Sequence, residues 1–164
     1  MKKLIILLVI LAPVVTYAQL GKAKTTKTTF SRTTNIDQNI SASPEKVWKL
    51  LQNAEAMPGW TTTVISVKGK IQVGEKIELV SSLDPERTFK LKVKEIEPKE
   101  KLVWGDNLGE RTYTIRMVGM ATQFSMTEKI GGFMFPLFAS KIPSFDQSFE
   151  KFTADLKAKA EAGS

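Results

Sequence analysis

Ile40-Ser41-Ala42-Ser43-Pro44-Glu45-Lys46-Val47-Trp48-Lys49-Leu50-Leu51 is the stretch from which the rest of the chain can be placed. Ser43 carries the oxygen that caps a helix N-terminus, and Pro44 suits the first helical position, where no N–H is needed. Val47, Leu50 and Leu51 then share one face at helical spacing. Upstream, Thr33 to Ile40 reads as an extended strand that stops at Ser41. Downstream, Asn53 to Trp60 reads as a second short helix or turn, broken by Pro58-Gly59.

Beyond Trp60 the period changes from helical to alternating. Thr61 to Val67 is rich in β-branched residues. Ile77 and Leu79 flank Glu78. Phe89, Leu91 and Val93 alternate with Lys90, Lys92 and Lys94, a strand with one wet face. Leu102 and Trp104 alternate again. Tyr113, Ile115 and Met117 lead into Val118-Gly119-Met120-Ala121, and Phe124 and Met126 lead out. A two-residue loop with glycine first suits a type II′ turn. Paired residue numbers then sum to 239, which sets Ile115 opposite Phe124, Tyr113 opposite Met126 and Arg111 opposite Glu128. Parity puts all six on one face of the sheet.

The C-terminal segment returns to helix. Ile142, Phe145, Phe149, Phe152 and Leu156 recur at steps of 3, 4, 3 and 4, with polar residues between. The apolar run Gly131 to Phe138 precedes it. Pro136 and Pro143 predict a helical lead-in with a bend.

The ends and the composition set limits. Lys2 and Lys3, the apolar run Leu4–Val15 and the small residue Ala18 follow the order of a secretory signal over residues 1–18. The run is short for a membrane span; an uncleaved anchor is the rival reading. Export, to periplasm or medium, is the expectation. Without Lys2 and Lys3, 22 basic residues stand against 17 acidic, a net charge of +5. Residues 19–32 form a Thr-rich basic segment with Lys22, Lys24, Lys27 and Arg32. It reads as a solvated tether, or as a weak attraction to an anionic membrane surface. The domain is expected over 33–160, with 161–164 frayed. The chain has no cysteine and no histidine, so disulfides, thiolate nucleophiles, Cys-type zinc sites and the commonest general base are excluded. No metal-ligand spacing, phosphate loop or nucleic-acid motif occurs, and no cofactor is implied.

Strand, two short helices, a run of antiparallel strands and a long amphipathic helix together indicate an α+β architecture. The opening Ser43-Pro44-Glu45-Lys46-Val47-Trp48, then Met57-Pro58-Gly59-Trp60, then Val73-Gly74, resembles the SRPBCC superfamily in order and spacing. This group includes the START domains, the birch-pollen-allergen-like proteins and the polyketide cyclase/dehydrase-like proteins. The tail Ile142-Pro143-Ser144-Phe145-Asp146-Gln147-Ser148-Phe149 is similar to the last helix of the bacterial cyclase-like branch. The resemblance spans roughly Thr33 to Ala160. It implies a helix-grip fold, in which a curved antiparallel sheet wraps the long C-terminal helix around an apolar cavity. It carries no catalytic motif, so no catalytic residue is assigned.

The residues placed to line such a cavity are Leu79, Phe89, Leu91, Trp104, Tyr113, Ile115, Phe124 and Met126 from the sheet. Phe138, Ile142, Phe145 and Phe149 face them from the helical side. The same residues would equally pack a filled core. Trp60 stands either at the pocket rim or as an anchor for the short helices. Arg111 and Glu128 either orient a ligand carboxylate or hydroxyl, with Tyr113 donating nearby, or form a salt bridge at the sheet end. Three functions follow. The first is an exported binding module for an apolar small molecule or lipid. The others are a cyclase/dehydratase-like enzyme on an apolar oxygenated substrate, and an envelope structural or stress-associated protein with no cavity.

Overall fold

Gly119 turns the chain between β7 (Gly109–Val118) and β8 (Ala121–Gly131). Its φ of 63°, with Met120 on the negative side, is the conformation of a type II′ turn. The register is the expected one: Val118 pairs with Ala121, Ile115 with Phe124, Tyr113 with Met126 and Arg111 with Glu128. The chain is described from residue 19 to residue 162 by a computed structural model. The expected signal, 1–18, and residues 163–164 of the expected frayed tail lie outside the described residues.

The other strands are β1 (Lys24–Lys27), β2 (Ser31–Ile40), β3 (Val64–Lys68), β4 (Lys76–Ser81), β5 (Asp84–Glu97) and β6 (Lys101–Gly105). They form one antiparallel eight-stranded sheet in the order β1-β2-β8-β7-β6-β5-β4-β3. Strands β3 to β8 pair as successive neighbours. β2 closes on β8 across about a hundred residues of sequence, Ser31 opposite Gly131. Register shifts within β3–β4, β4–β5 and β5–β6 bend the sheet in the way bulges do. α1 (Pro44–Gln52) is capped by Ser43, whose side chain accepts from the Lys46 N–H, and a 3₁₀ helix, Ala54–Gly59, follows. After β8 come α2 (Phe135–Phe138), a 3₁₀ turn (Ala139–Lys141) and the long α3 (Asp146–Glu161). This is the helix-grip fold.

The structure revises three expectations. The segment 19–32 is not simply a tether: Lys24–Lys27 adds an edge strand to β2, and its Thr25 meets Thr34 through their hydroxyls at 2.8 Å. Arg32 is buried rather than solvated. The last helix starts at Asp146, four residues after Ile142, because Ile142 precedes a proline and takes an extended backbone, with ψ of 120°.

α3 lays Phe149, Phe152 and Leu156 on the sheet. At one end of the concave face α1 packs over β7 and β8. There Ile36, Ile40, Val47, Leu51, Ile115 and Phe124 make a closed core. The other end, towards the β4–β5 turn, the β6–β7 loop and α2, has no such plug.

Candidate ligand cavity

A cavity of about 220 Å³ lies between the concave sheet face and the segment from α2 to α3. Its walls are mostly apolar: Leu79, Phe89, Leu91, Trp104 and Met126 from the sheet, and Phe138, Ile142, Phe145, Phe149 and Phe152 opposite. Asp84, Arg87, Asp106 and Lys141 contribute charges of both signs to its lining. Gly105 allows the β6–β7 loop to fold tightly here, since a Cβ at this position would lie 2.2 Å from the Gly109 carbonyl oxygen. Asp106 Oδ1 then accepts from the Leu108 and Gly109 N–H groups at 2.8 and 2.9 Å, which fixes the loop.

Arg111 and Glu128 also line the cavity. Arg111 Nε donates to Glu128 Oε2 at 2.5 Å, and the two side chains keep only 20% and 15% of their exposure. That bond uses one guanidinium N–H and one carboxylate oxygen. The Tyr113 hydroxyl interacts with the same guanidinium. Burial works against the charge on Arg111, but Glu128 and Tyr113 outweigh it and hold the guanidinium above its ordinary pKa. Burial pushes the Tyr113 phenol up to about 12, against the opposing pull of Arg111. At neutral pH Tyr113 is therefore a donor rather than a base.

Two arginines bracket the phenylalanines of the opposite wall. Arg111 sits 5.2 Å from the Phe149 ring centroid, and Arg32 sits 4.7 Å from that of Phe145. The two rings stack at 6.1 Å and 6°. Arg32, Phe145, Phe149 and Arg111 thus form one column from β2 to β7. Arg32 also donates to the carbonyl oxygens of Ile142 and Pro143 at 3.1 and 2.7 Å, pinning the connection into α3.

Four of the expected lining residues lie elsewhere. Ile115 and Phe124 do face inward, but at the end plugged by α1, and Tyr113 stands between that end and the cavity, behind its walls. Tyr113 is packed between Trp104, Phe124 and Phe152 at 5.1, 6.1 and 6.0 Å. Trp60 is 5.3 Å from Phe152 and anchors the short helices rather than the rim. The other eleven line the cavity. Sequence reasoning missed Leu83, Leu108 and Phe152 as wall residues; Phe152 was visible in the helical stripe, while the two leucines sit in turns without a period. The core is therefore not filled. Among the described residues, no three acidic groups cluster to hold a metal ion.

Residues 41–157 match the family model described as Activator of Hsp90 ATPase homolog 1-like protein. Solved structures share the fold. A protein from Rhodobacter sphaeroides is 18% identical and matches 87% of this chain and 100% of its own, with a TM-score of 0.66. The Aha1 dimer from Colwellia psychrerythraea is 21% identical over 79% of this chain and 96% of its own, with a TM-score of 0.60. Ara h 8.0201 is 10% identical over 79% and 97%, with a TM-score of 0.55. No curated protein matches the chain.

Proposed function

The chain belongs to the family of Activator of Hsp90 ATPase homolog 1-like proteins, within the SRPBCC superfamily, and from that footing we propose that it is an exported binding module for a compact, mainly apolar small molecule. The observation that carries this reading is the apolar cavity with a single ion pair, Arg111–Glu128, in its wall. Small-molecule sites commonly combine apolar walls with a few convergent polar groups. A cavity of about 150 Å³ is enough for benzene, so the volume here fits a ligand of roughly ten heavy atoms better than a whole diacyl lipid.

The ion pair also constrains the ligand's polar group. Arg111 and Glu128 already balance each other, so at this pair a ligand carboxylate would meet Glu128 as a like charge; elsewhere in the lining Arg87 and Lys141 are matched in number by Asp84 and Asp106. A hydroxyl, carbonyl or amide can bond to the unused guanidinium N–H groups or carboxylate oxygen without adding net charge. The Trp104 indole N–H, buried without a partner among the described residues, is a further donor that a ligand oxygen could satisfy after a small side-chain shift.

Native mass spectrometry of the protein purified from its own envelope fraction tests both parts. Export predicts a chain beginning at Gln19. Binding predicts a low-mass neutral adduct that is released on denaturation and absent from an Arg111→Leu/Glu128→Leu variant. A chain retaining Met1 would overturn cleavage of the signal. An adduct of diacyl-lipid mass, or one indifferent to the double substitution, would overturn the ligand class.

A further inference from the structure

The apolar lining does not end at the cavity mouth. Leu83 and Leu108 line the cavity and are also 36% and 46% exposed. The Gly131 N–H donates to the Leu108 carbonyl oxygen at 2.9 Å, and the Gly132 N–H donates to that of Phe30 at 3.0 Å. These two bonds gather the β6–β7 loop and the β1–β2 turn around the end of β8. Phe30, Phe133, Met134 and Leu137 then stand outward on the same end of the molecule, Phe133 at 86% and Leu137 at 72% exposure. The rings of Phe30 and Phe133 stack at 6.5 Å and 9°. Phe135, from the same segment, is buried, so this segment has a distinct inner face and an outward apolar one. A continuous exposed apolar patch of this kind marks a contact surface.

Charge indicates what it contacts. No Asp or Glu occurs before Asp37, and none occurs between Glu128 and Asp146. The two segments that build most of the patch therefore contribute cations and no anions, with Lys27 and Lys141 exposed. The acidic groups at the cavity mouth are Asp84 and Asp106, and Asp106 is already bonded to the Leu108 and Gly109 N–H groups. A second copy packed on this patch about a two-fold axis would set these lysines against their own counterparts. An anionic lipid surface instead accepts aromatic, Met and Leu side chains at the headgroup boundary and ammonium groups among the headgroups. Beside the patch, a shallow groove between the β1–β2 turn and α2 presents Lys27, Thr28, Thr29 and Ser140. Asp146 lines the groove too, with its carboxylate accepting from the Thr25 and Ser144 hydroxyls at 2.5 and 3.1 Å.

We propose that this end of the molecule docks on an anionic lipid surface, with the cavity mouth turned towards the lipid. Docking needs no ligand in the cavity, so it stands or falls apart from the reading above. The test is flotation of the chain from Gln19 with vesicles of phosphatidylcholine alone and of phosphatidylcholine mixed with phosphatidylglycerol. Binding is expected only to the mixed vesicles and is expected to weaken as salt is raised. Phe133→Ser/Leu137→Ser and Lys27→Gln/Lys141→Gln are each expected to lower it by about tenfold or more, with unchanged thermal unfolding because all four side chains are exposed. Absence of binding to the mixed vesicles would overturn the proposal, as would binding by either variant equal to that of the unsubstituted chain. A concentration-dependent dimer in sedimentation, abolished by Phe133→Ser/Leu137→Ser, would assign the patch to a second copy instead.

Discussion

Tyr113 makes one residue's environment measurable. The chain has two tyrosines, Tyr17 and Tyr113, so a protein beginning at Gln19 contains Tyr113 alone. Its hydroxyl is buried beside Arg111, and its pKa is raised from 10.0 to about 12 by burial. Below pH 10 both the folded and the unfolded chain hold this proton. Between pH 10 and 12 the unfolded chain releases it while the folded chain keeps it, so stability falls as pH rises. Two pH units correspond to roughly 2–3 kcal/mol lost by the time the folded form titrates. Tyrosinate absorbance of the mature protein is expected to rise near pH 12, and near pH 10 once the chain is unfolded in urea. Tyr113→Phe is expected to remove this share of the alkaline loss. Titration of the folded protein near 10 would mean that the phenol is open to water rather than buried, since burial is the main cause that raises it against the pull of Arg111.

At the scale of elements, Arg32 joins β2 to the segment that roofs the cavity. Its two terminal nitrogens bond two successive carbonyl groups, Ile142 and Pro143, and its plane lies over Phe145. Burial lowers its pKa from the ordinary value, with Asp146 and Glu128 opposing. Hydrogen bonds from a charged donor are worth about 1.5–3 kcal/mol each. Because solvent can rehydrate the freed carbonyls, Arg32→Leu is expected to cost about 2–3 kcal/mol in total. Arg32→Lys should restore only part of it, since one ammonium lacks the planar fork. Hydrogen exchange should quicken in residues 139–146 and stay unchanged in β5 to β7. Uniform acceleration across the sheet would show that Arg32 supports the whole fold rather than this connection.

The same elements show how far sequence reading reaches. The β7–β8 register was legible because a two-residue turn fixes every pair beyond it, down to Arg111 opposite Glu128. α1 was legible because Ser43 and Pro44 are local signals. Arg32 was not, because its partners lie about 110 residues away. β1 was hidden because its Lys and Thr side chains give an edge strand no apolar alternation. Ile115 and Phe124 were assigned to the right face and the wrong end of it, and Tyr113 to the right face but one layer behind the cavity wall. Side-chain parity fixes the face of a strand, but only the tertiary position of α1 decides which half of that face is plugged.

For the whole molecule, the cavity is a stability deficit. At about 24 cal/mol per Å³, an empty apolar space of the observed volume would cost up to about 5 kcal/mol, less where water reaches the mouth. That is comparable to the entire stability of many domains. A protein with a purely structural role gains nothing from such a space, whereas a binding module needs it. The two alternatives predict opposite signs for one substitution. Leu91 lines the cavity on β5 and is only partly buried. With the space open in solution, Leu91→Phe should fit, raise stability by up to about 1 kcal/mol and abolish the adduct in native mass spectrometry. If side chains collapse into the space in solution, the larger ring has nowhere to go, and overpacking should lower stability by about 1–3 kcal/mol. Thermal unfolding of the two proteins, each stripped of bound material, reads the sign directly. A higher midpoint together with a lost adduct would tie the deficit to ligand binding, and a lower midpoint would remove the cavity on which that function rests.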